Sequence, residues 1–306
     1  MTEQLKLKLN DSKATRWGAL VIVAFTMMAA YYVNDVVAPL KTMLETDLAW
    51  SSTDFGFFTG GYSFLNVFFL MLIWGGLILD RFGIRFTGKL ATILMVGGTA
   101  LEYYAMTGLA GADATLFGIN EIFGYKTGVF VAFAGYSIFG VGAEVAGITV
   151  SKIIAKWFKG KELATAMGVQ VALARIGSQA GYAVAIPLAR AFGISTPVLL
   201  GLVLLLGGMI AFFVFAVMDK KLDKQMEAAA IAAGTEDEEE KFSFKDVKNI
   251  LVNPGFWLIA LLCVLFYSCV FPFQKFASEL MIIKYGINEN VAGTFAGLPA
   301  LSLIHI

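Results

Sequence analysis

One acid and one base stand in the interiors of two long apolar stretches of this 306-residue chain: Glu144 within residues 127–155 and Arg175 within residues 163–190. A short basic turn, residues 156–161, joins the two stretches. Counted from that turn, Glu144 lies 11 residues before Ala155 and Arg175 lies 12 residues after Leu163. At ~1.5 Å rise per helical residue both fall roughly 16–18 Å deep, near the middle of a ~30 Å hydrocarbon layer. Ionisable groups at that depth cost at least ~2.5 kcal/mol each, and they face a cavity or one another. Opposite charges at matched depth suit a site for a zwitterion or a paired gate. A guanidinium is the better carboxylate anchor because it binds bidentately. The alternative is a plain ion pair that holds the two helices together.

Such charges need helices to carry them, and the composition supplies helices of the membrane kind. Hydrophobic residues make up 58% of the chain and mean hydropathy is +0.75, whereas a soluble domain is about 45–50% apolar. The fold class is therefore an all-α membrane protein. Formal net charge is zero, which leaves no basis for a nucleic-acid partner. Cys263 and Cys269 sit six residues apart in one apolar stretch, a spacing that makes no metal site. With His305 as the single histidine, no nucleophile–base set or metal set can be assembled. No catalytic residue, cofactor or metal is expected, and the chain does not read as an enzyme.

Residues 1–16 are polar, hold Lys6, Lys8, Lys13 and Arg16, and lack a cleavage site, so the first span is expected to be retained. Spans are expected at about residues 17–40, 55–79, 86–109, 127–155, 163–190, 196–218 and 254–285, each with about 20 or more largely apolar residues. An eighth begins within residues 286–300. Of the 23 lysines and arginines, 17 fall in the N-terminus and in, or within four residues of, the loops between spans 2 and 3, 4 and 5, and 6 and 7. This bias puts the N-terminus in the cytoplasm. The expected organisation is a cytoplasmic N-terminus (1–16), a six-helix half (17–218), a cytoplasmic linker (219–253) with an acidic run at 236–240, and the start of a second half (254–300). Residues 301–306, LSLIHI, are what a transposon mosaic-end adapter encodes when read in frame. They are expected to be library read-through, and His305 carries no functional weight.

Between spans 2 and 3 stands Gly76-Leu77-Ile78-Leu79-Asp80-Arg81-Phe82-Gly83-Ile84-Arg85. Gly76 is expected to let the helix end pack closely, and Gly83 to permit a tight turn. Asp80, beside Arg81 and Arg85, is expected to pair with a basic group on the cytoplasmic face and hold one conformation shut. This stretch resembles the loop 2–3 signature of the major facilitator superfamily, G-x-x-x-D-R-x-G followed by two basic residues, with Ile84 where the family usually has a base. The resemblance implies that superfamily's fold: an N-terminal six-helix half, helix 7 and the start of helix 8, with the rest of the C-terminal half missing.

Residues 139–144, 157–163 and 174–178 are similar to the lysosomal dipeptide uniporter branch of that superfamily. So are Tyr62-Ser63, Asn66-Val67, residues 256–259, Cys263-Val264 and residues 270–273. The branch implies that Glu144 binds the amino end of a dipeptide and Arg175 its carboxylate, with uniport by alternating access in a lipid bilayer. It also implies an accessory membrane subunit, of which this sequence shows no feature. The residues alone leave open another organic anion, a sugar or an amino acid, with proton coupling through Glu144 or Asp35. Tyr62, Asn66, Tyr32 and Asp35 complete the candidate substrate-binding set. Asp35 and Glu102 are expected near the outer interface, and Tyr31 and Tyr32 as aromatic anchors there. Asn66 falls near mid-depth, and Pro272 is expected to kink helix 7. The N-terminus shows no dileucine-type sorting signal, so the lysosomal address is not carried over; library read-through suggests environmental DNA, and the expected location is a prokaryotic plasma membrane.

Overall fold

The computed structural model describes residues 8–111, 114–233 and 249–302. The main helices are α1 (Lys13–Val36), α2 (Lys41–Asp47), α3 (Ser52–Phe68), α4 (Met71–Thr107), α5 (Thr127–Trp157), α6 (Leu163–Phe192), α7 (Thr196–Ala233), α8 (Pro254–Tyr285) and α9 (Glu289–Ser302). A small antiparallel ladder, Glu121–Ile122 against Tyr125–Lys126, precedes α5. Side chains start the helices. Ser12 accepts the Thr15 N–H at the head of α1, and Ser51 with Asp54 forms a reciprocal capping box on α3.

By length and composition four helices qualify as spans: Lys13–Asp47 (α1 running on into α2), Thr127–Trp157, Thr196–Ala229 and Pro254–Tyr285. The bent pair α3 and α4 makes a fifth. The sixth helix of 30 residues, α6, is long enough to cross, but Gln170, Arg175 and Gln179 dilute its apolar character. Two departures from the expected spans have local causes. Span 2 is broken: α3 and α4 meet at 58°, and Leu70 between them takes a left-handed φ of 51°, the conformation that commonly stops a helix. The turn between spans 2 and 3 is a single non-helical residue inside α4, Gly83, with φ 75°.

Span 6 does not end at Met218, and the first part of the expected linker is helix. The α7 helix runs to Ala233 because its polar residues are compensated or intrinsically helix-forming. Asp219 is fully buried and accepts from Arg85 Nη1 at 3.1 Å, Lys156 Nζ at 2.8 Å and Trp157 Nε1 at 3.0 Å. The acidic run at 236–240 lies outside the described residues. Helix 7 runs through Pro272 as one helix.

Small residues bring backbones together. A Cβ on Gly98 would stand 2.4 Å from Phe139 N, which locks α4 to α5; one on Gly177 would stand 2.1 Å from Met28 O, which locks α6 to α1. Close approach of this kind is the usual glue between helices in lipid. The last two helices meet the rest of the chain at the end opposite the N-terminus, called the outer end below and the other the inner end: Ala277, Ser278, Ala292 and Ala296 are buried, whereas Trp257, Leu258, Ile259 and Leu262 near the inner end of α8 are exposed.

Candidate functional site

Glu144 projects from α5 and Arg175 from α6, both half-buried. Tyr62 on α3 donates its hydroxyl to Glu144 Oε1 at 2.7 Å. The Arg175 guanidinium lies over the ring of Tyr31 on α1, 5.4 Å from its centroid, and its buried Nε has no hydrogen-bond partner. Among the described residues Glu144 and Arg175 form no ion pair with each other. Acid, phenol, phenol and base are distributed over four helices, α5, α3, α1 and α6. The anionic and the cationic group thus each have a tyrosine partner, one through a hydrogen bond and one through a ring face.

The other candidates divide. Asn66 Nδ2 donates back to Tyr62 O at 3.0 Å, and its buried Oδ1 has no partner, which leaves an acceptor beside Tyr62. Tyr32 is neither a belt anchor nor beside this group. It is buried and donates to Pro197 O of α7 at 3.2 Å, so it ties helices together. Asp35 is not a free interfacial charge. It accepts from Asn34 Nδ2 at 2.9 Å and lies 3.7 Å from Lys275 Nζ of α8, with only 13% of its side chain exposed. Lys275 Nζ also donates to Asn34 O at 2.6 Å and to Tyr136 Oη at 3.1 Å.

Two further ionic contacts close the same outer end. Lys41, 3% exposed, reaches Glu45 at 2.7 Å, Ser52 Oγ at 2.9 Å and Glu279 of α8 at 2.5 Å. Arg190 of α6 pairs with Glu289 of α9.

At the inner end Asp80 pairs with Lys152 at 2.9 Å, both half-exposed, and Arg81 lies over Phe82 at 5.5 Å. Arg85 binds Asp219 at 3.1 Å and also Asp223, which Lys156 shares. Ile84 is buried in the turn, so the position is filled by packing rather than by a rim charge. The close approach expected of Gly76 occurs one residue earlier. A Cβ on Gly76 would meet open space, whereas one on Gly75 would stand 2.6 Å from Val145 Cγ2.

Sequence reasoning missed Tyr31 as a partner of Arg175, and it missed Lys275 and Tyr136. Lys275 carries the same signal as Arg175, a cation in the interior of an apolar span; Tyr136 carries none. Glu102 does not face the outer interface: it is fully buried, and neither carboxyl oxygen has a partner.

The chain folds as an integral multi-pass membrane protein, and its relatives agree. The lysosomal dipeptide transporter MFSD1 of Homo sapiens is 27% identical over 293 residues, which cover 91% of this chain and 57% of that protein. The Pongo abelii protein of the same name is 27% identical over 287 residues, with 89% and 55% covered. That of Gallus gallus is 32% identical over 171 residues, with 52% and 36% covered. The chain therefore spans about half the length of the curated relatives it matches. The crystal structure of a D-xylose-proton symporter superimposes with a TM-score of 0.56 at 15% identity, over 94% of this chain and 66% of that one, a likeness of fold. The sequence profile of the Major Facilitator Superfamily matches residues 20–305, from α1 through α9, and the chain belongs to that family.

Proposed function

We propose that this chain forms the substrate-binding half of a uniporter for small zwitterionic solutes, dipeptides first among them, working by alternating access. The observation that carries this reading is the separation of Glu144 from Arg175, each held by a tyrosine rather than by the other. A ligand with an ammonium and a carboxylate would satisfy both at once, Arg175 bidentately. The relatives' printed name, lysosomal dipeptide transporter, supports the substrate class. The ionic contacts at the outer end, with the inner end of α8 apart, correspond to the inward-facing state of the cycle. In this reading Asp80–Lys152 and the Arg85–Asp219 contacts form the inner rim that rearranges when that side closes. The reading requires no bond-making step, so the protein is a carrier and not an enzyme.

The test is dipeptide counterflow in liposomes by the full-length protein, wild type beside Arg175→Ala. Uptake by the wild type and its loss in the variant are expected. A folded wild type that ignores a broad dipeptide panel but moves a sugar, an organic anion or a single amino acid would overturn the substrate class. Uptake driven by an imposed pH gradient would overturn uniport. We place the protein in a plasma membrane with its N-terminus in the cytoplasm. Fractionation of source cells tests the address against the lysosomal location that the relatives' names carry, and co-purification tests for the accessory subunit.

A further inference from the structure

We propose that the hairpin between α4 and α5 is an interfacial anchor whose two tips, Phe117 and Phe123, dip into the lipid leaflet at the outer end of the molecule. Neither the substrate nor the direction of flux enters into it. The sequence repeats itself here: Leu116-Phe117-Gly118-Ile119 is followed by Ile122-Phe123-Gly124-Tyr125. Each unit folds as the same two-residue turn. Leu116 and Ile119 exchange both backbone hydrogen bonds at 3.0 Å, and Ile122 stands opposite Tyr125 in the ladder. All four central residues have a left-handed φ: 54° at Phe117, 81° at Gly118, 53° at Phe123 and 81° at Gly124.

A turn of this kind takes asparagine, aspartate or glycine at its first central position, because larger side chains crowd the backbone there. Phenylalanine suits neither that backbone nor water, yet Phe117 is 95% exposed and Phe123 89%. The hairpin cannot fold these rings away, because its base is fastened. Thr127 at the head of α5 donates its Oγ1 to Ile119 O at 2.8 Å and its N–H to Asn120 O at 3.0 Å. Lys126 donates to Ala49 O, and Tyr125 stacks on Phe57 of α3 with centroids 3.9 Å apart. Two rings held out on fixed tips call for an apolar partner.

The rings below the tips identify that partner as lipid. From Phe123 a chain of ring contacts runs through Phe130 (6.0 Å between centroids), Phe133 (6.2 Å) and Phe64 (5.3 Å) to Phe68 (5.3 Å). It descends along α5 and then α3, which belongs to the bent span. Phe64 and Phe68 are exposed within that span, so the lower rings meet acyl chains and Phe123 sits where the column leaves them. The described part of the second half does not take this face. Its α8 packs on α3 through Phe276 against Phe55, 5.7 Å between centroids, and Phe55 lies about 200° around the helix from Phe57. An aromatic ring at the boundary between headgroups and acyl chains is a common membrane anchor. Glu121 and Lys126 are the only charges in residues 114–126 and they cancel, so insertion needs no anionic headgroup.

The experiment puts a nitroxide label on the full-length transporter in phosphatidylcholine liposomes, at Phe117→Cys and at Phe123→Cys, with the native cysteines removed. Glu121→Cys, on the exposed ladder between the tips, is the control. At both tips dissolved oxygen is expected to relax the label more than a water-soluble nickel chelate does, the reverse of the order at Glu121→Cys. A tip label as open to nickel as the control lies in water and overturns the proposal. A tip label shielded from both reagents lies under protein, either a second copy or the rest of this chain, and overturns it too. Should the cysteine variants fail to fold, Phe117→Trp and Phe123→Trp replace them. Lipids brominated near the headgroup are then expected to quench the emission added to that of the five native tryptophans; unquenched added emission overturns the proposal. No readout uses a dipeptide, so the anchor and the substrate assignment fail separately.

Discussion

Tyr62 donates to Glu144 and Tyr31 lies under Arg175, and that division is the chemistry most worth testing one residue at a time. Tyr62→Phe removes a 2.7 Å hydrogen bond to Glu144, an interaction of about 1.5–3 kcal/mol when one partner is charged. We expect dipeptide affinity to fall by roughly tenfold or more, measured by equilibrium titration of the full-length protein. A second prediction concerns the N-terminal clasp. Lys161, followed by the Lys8 backbone, holds the Asp11 carboxyl below the usual carboxylate range. Glu162 is likewise lowered, first by a hydrogen bond from its own backbone and then by Arg16 at 2.8 Å. A lowered carboxyl stabilises the fold above the ordinary carboxylate range, and the effect is lost as pH falls through the lowered value. The clasp should therefore hold at neutral pH and loosen in acid below about pH 4, seen as faster amide exchange over residues 9–16. That Glu144 and Arg175 sit in the interiors of two long helices was legible in the sequence, because an apolar run of that length marks a helix. Their neighbours were not: count gives no azimuth, and the turn of each helix about its axis decides that Arg175 meets Tyr31.

Among the elements, α6 shows how packing and charge share one helix. Gly177 and Gly181 stand four apart and present a small-residue face to α1, while Gly168 on the same helix has open space around it. Gly177→Ala should cost about 1–3 kcal/mol by overpacking, whereas Gly168→Ala should be neutral or slightly stabilising. Paired thermal melts in detergent check both. Hydrophobic run lengths made most helices readable, α5, α6 and α8 to within two residues at either end. The break at Leu70 was not readable, because a left-handed residue there is ordinarily announced by glycine or asparagine. The extension of α7 was hidden for the opposite reason. Asp219 reads as the onset of a polar linker until Arg85, Lys156 and Trp157 are known to surround it.

For the whole molecule, ionic contacts from α8 and α9 fasten the outer end, and Lys41 is the most buried of their cations. Removing one member of a buried pair costs about 3–5 kcal/mol. Lys41→Met would leave Glu45 and Glu279 facing each other and should move the full transporter tenfold or more toward its outward-open form. Labelling of single cysteines placed on the outer third of α8, in a background without Cys263 and Cys269, reads that shift. The family was legible from the turn at 76–85 and the stretch at 139–178. The outer closure was not, since its partners lie up to 241 residues apart in sequence. The Asp219 junction has a further consequence, for the order of synthesis. The ribosome delivers Arg85 and Lys156 long before the acid that neutralises them, so the inner end of the first five spans waits with two cations facing each other until the sixth emerges. A nascent chain halted at residue 218 should be cleared by membrane proteases faster than one halted at 233, which makes Asp219 the point at which this half of the protein becomes safe to keep.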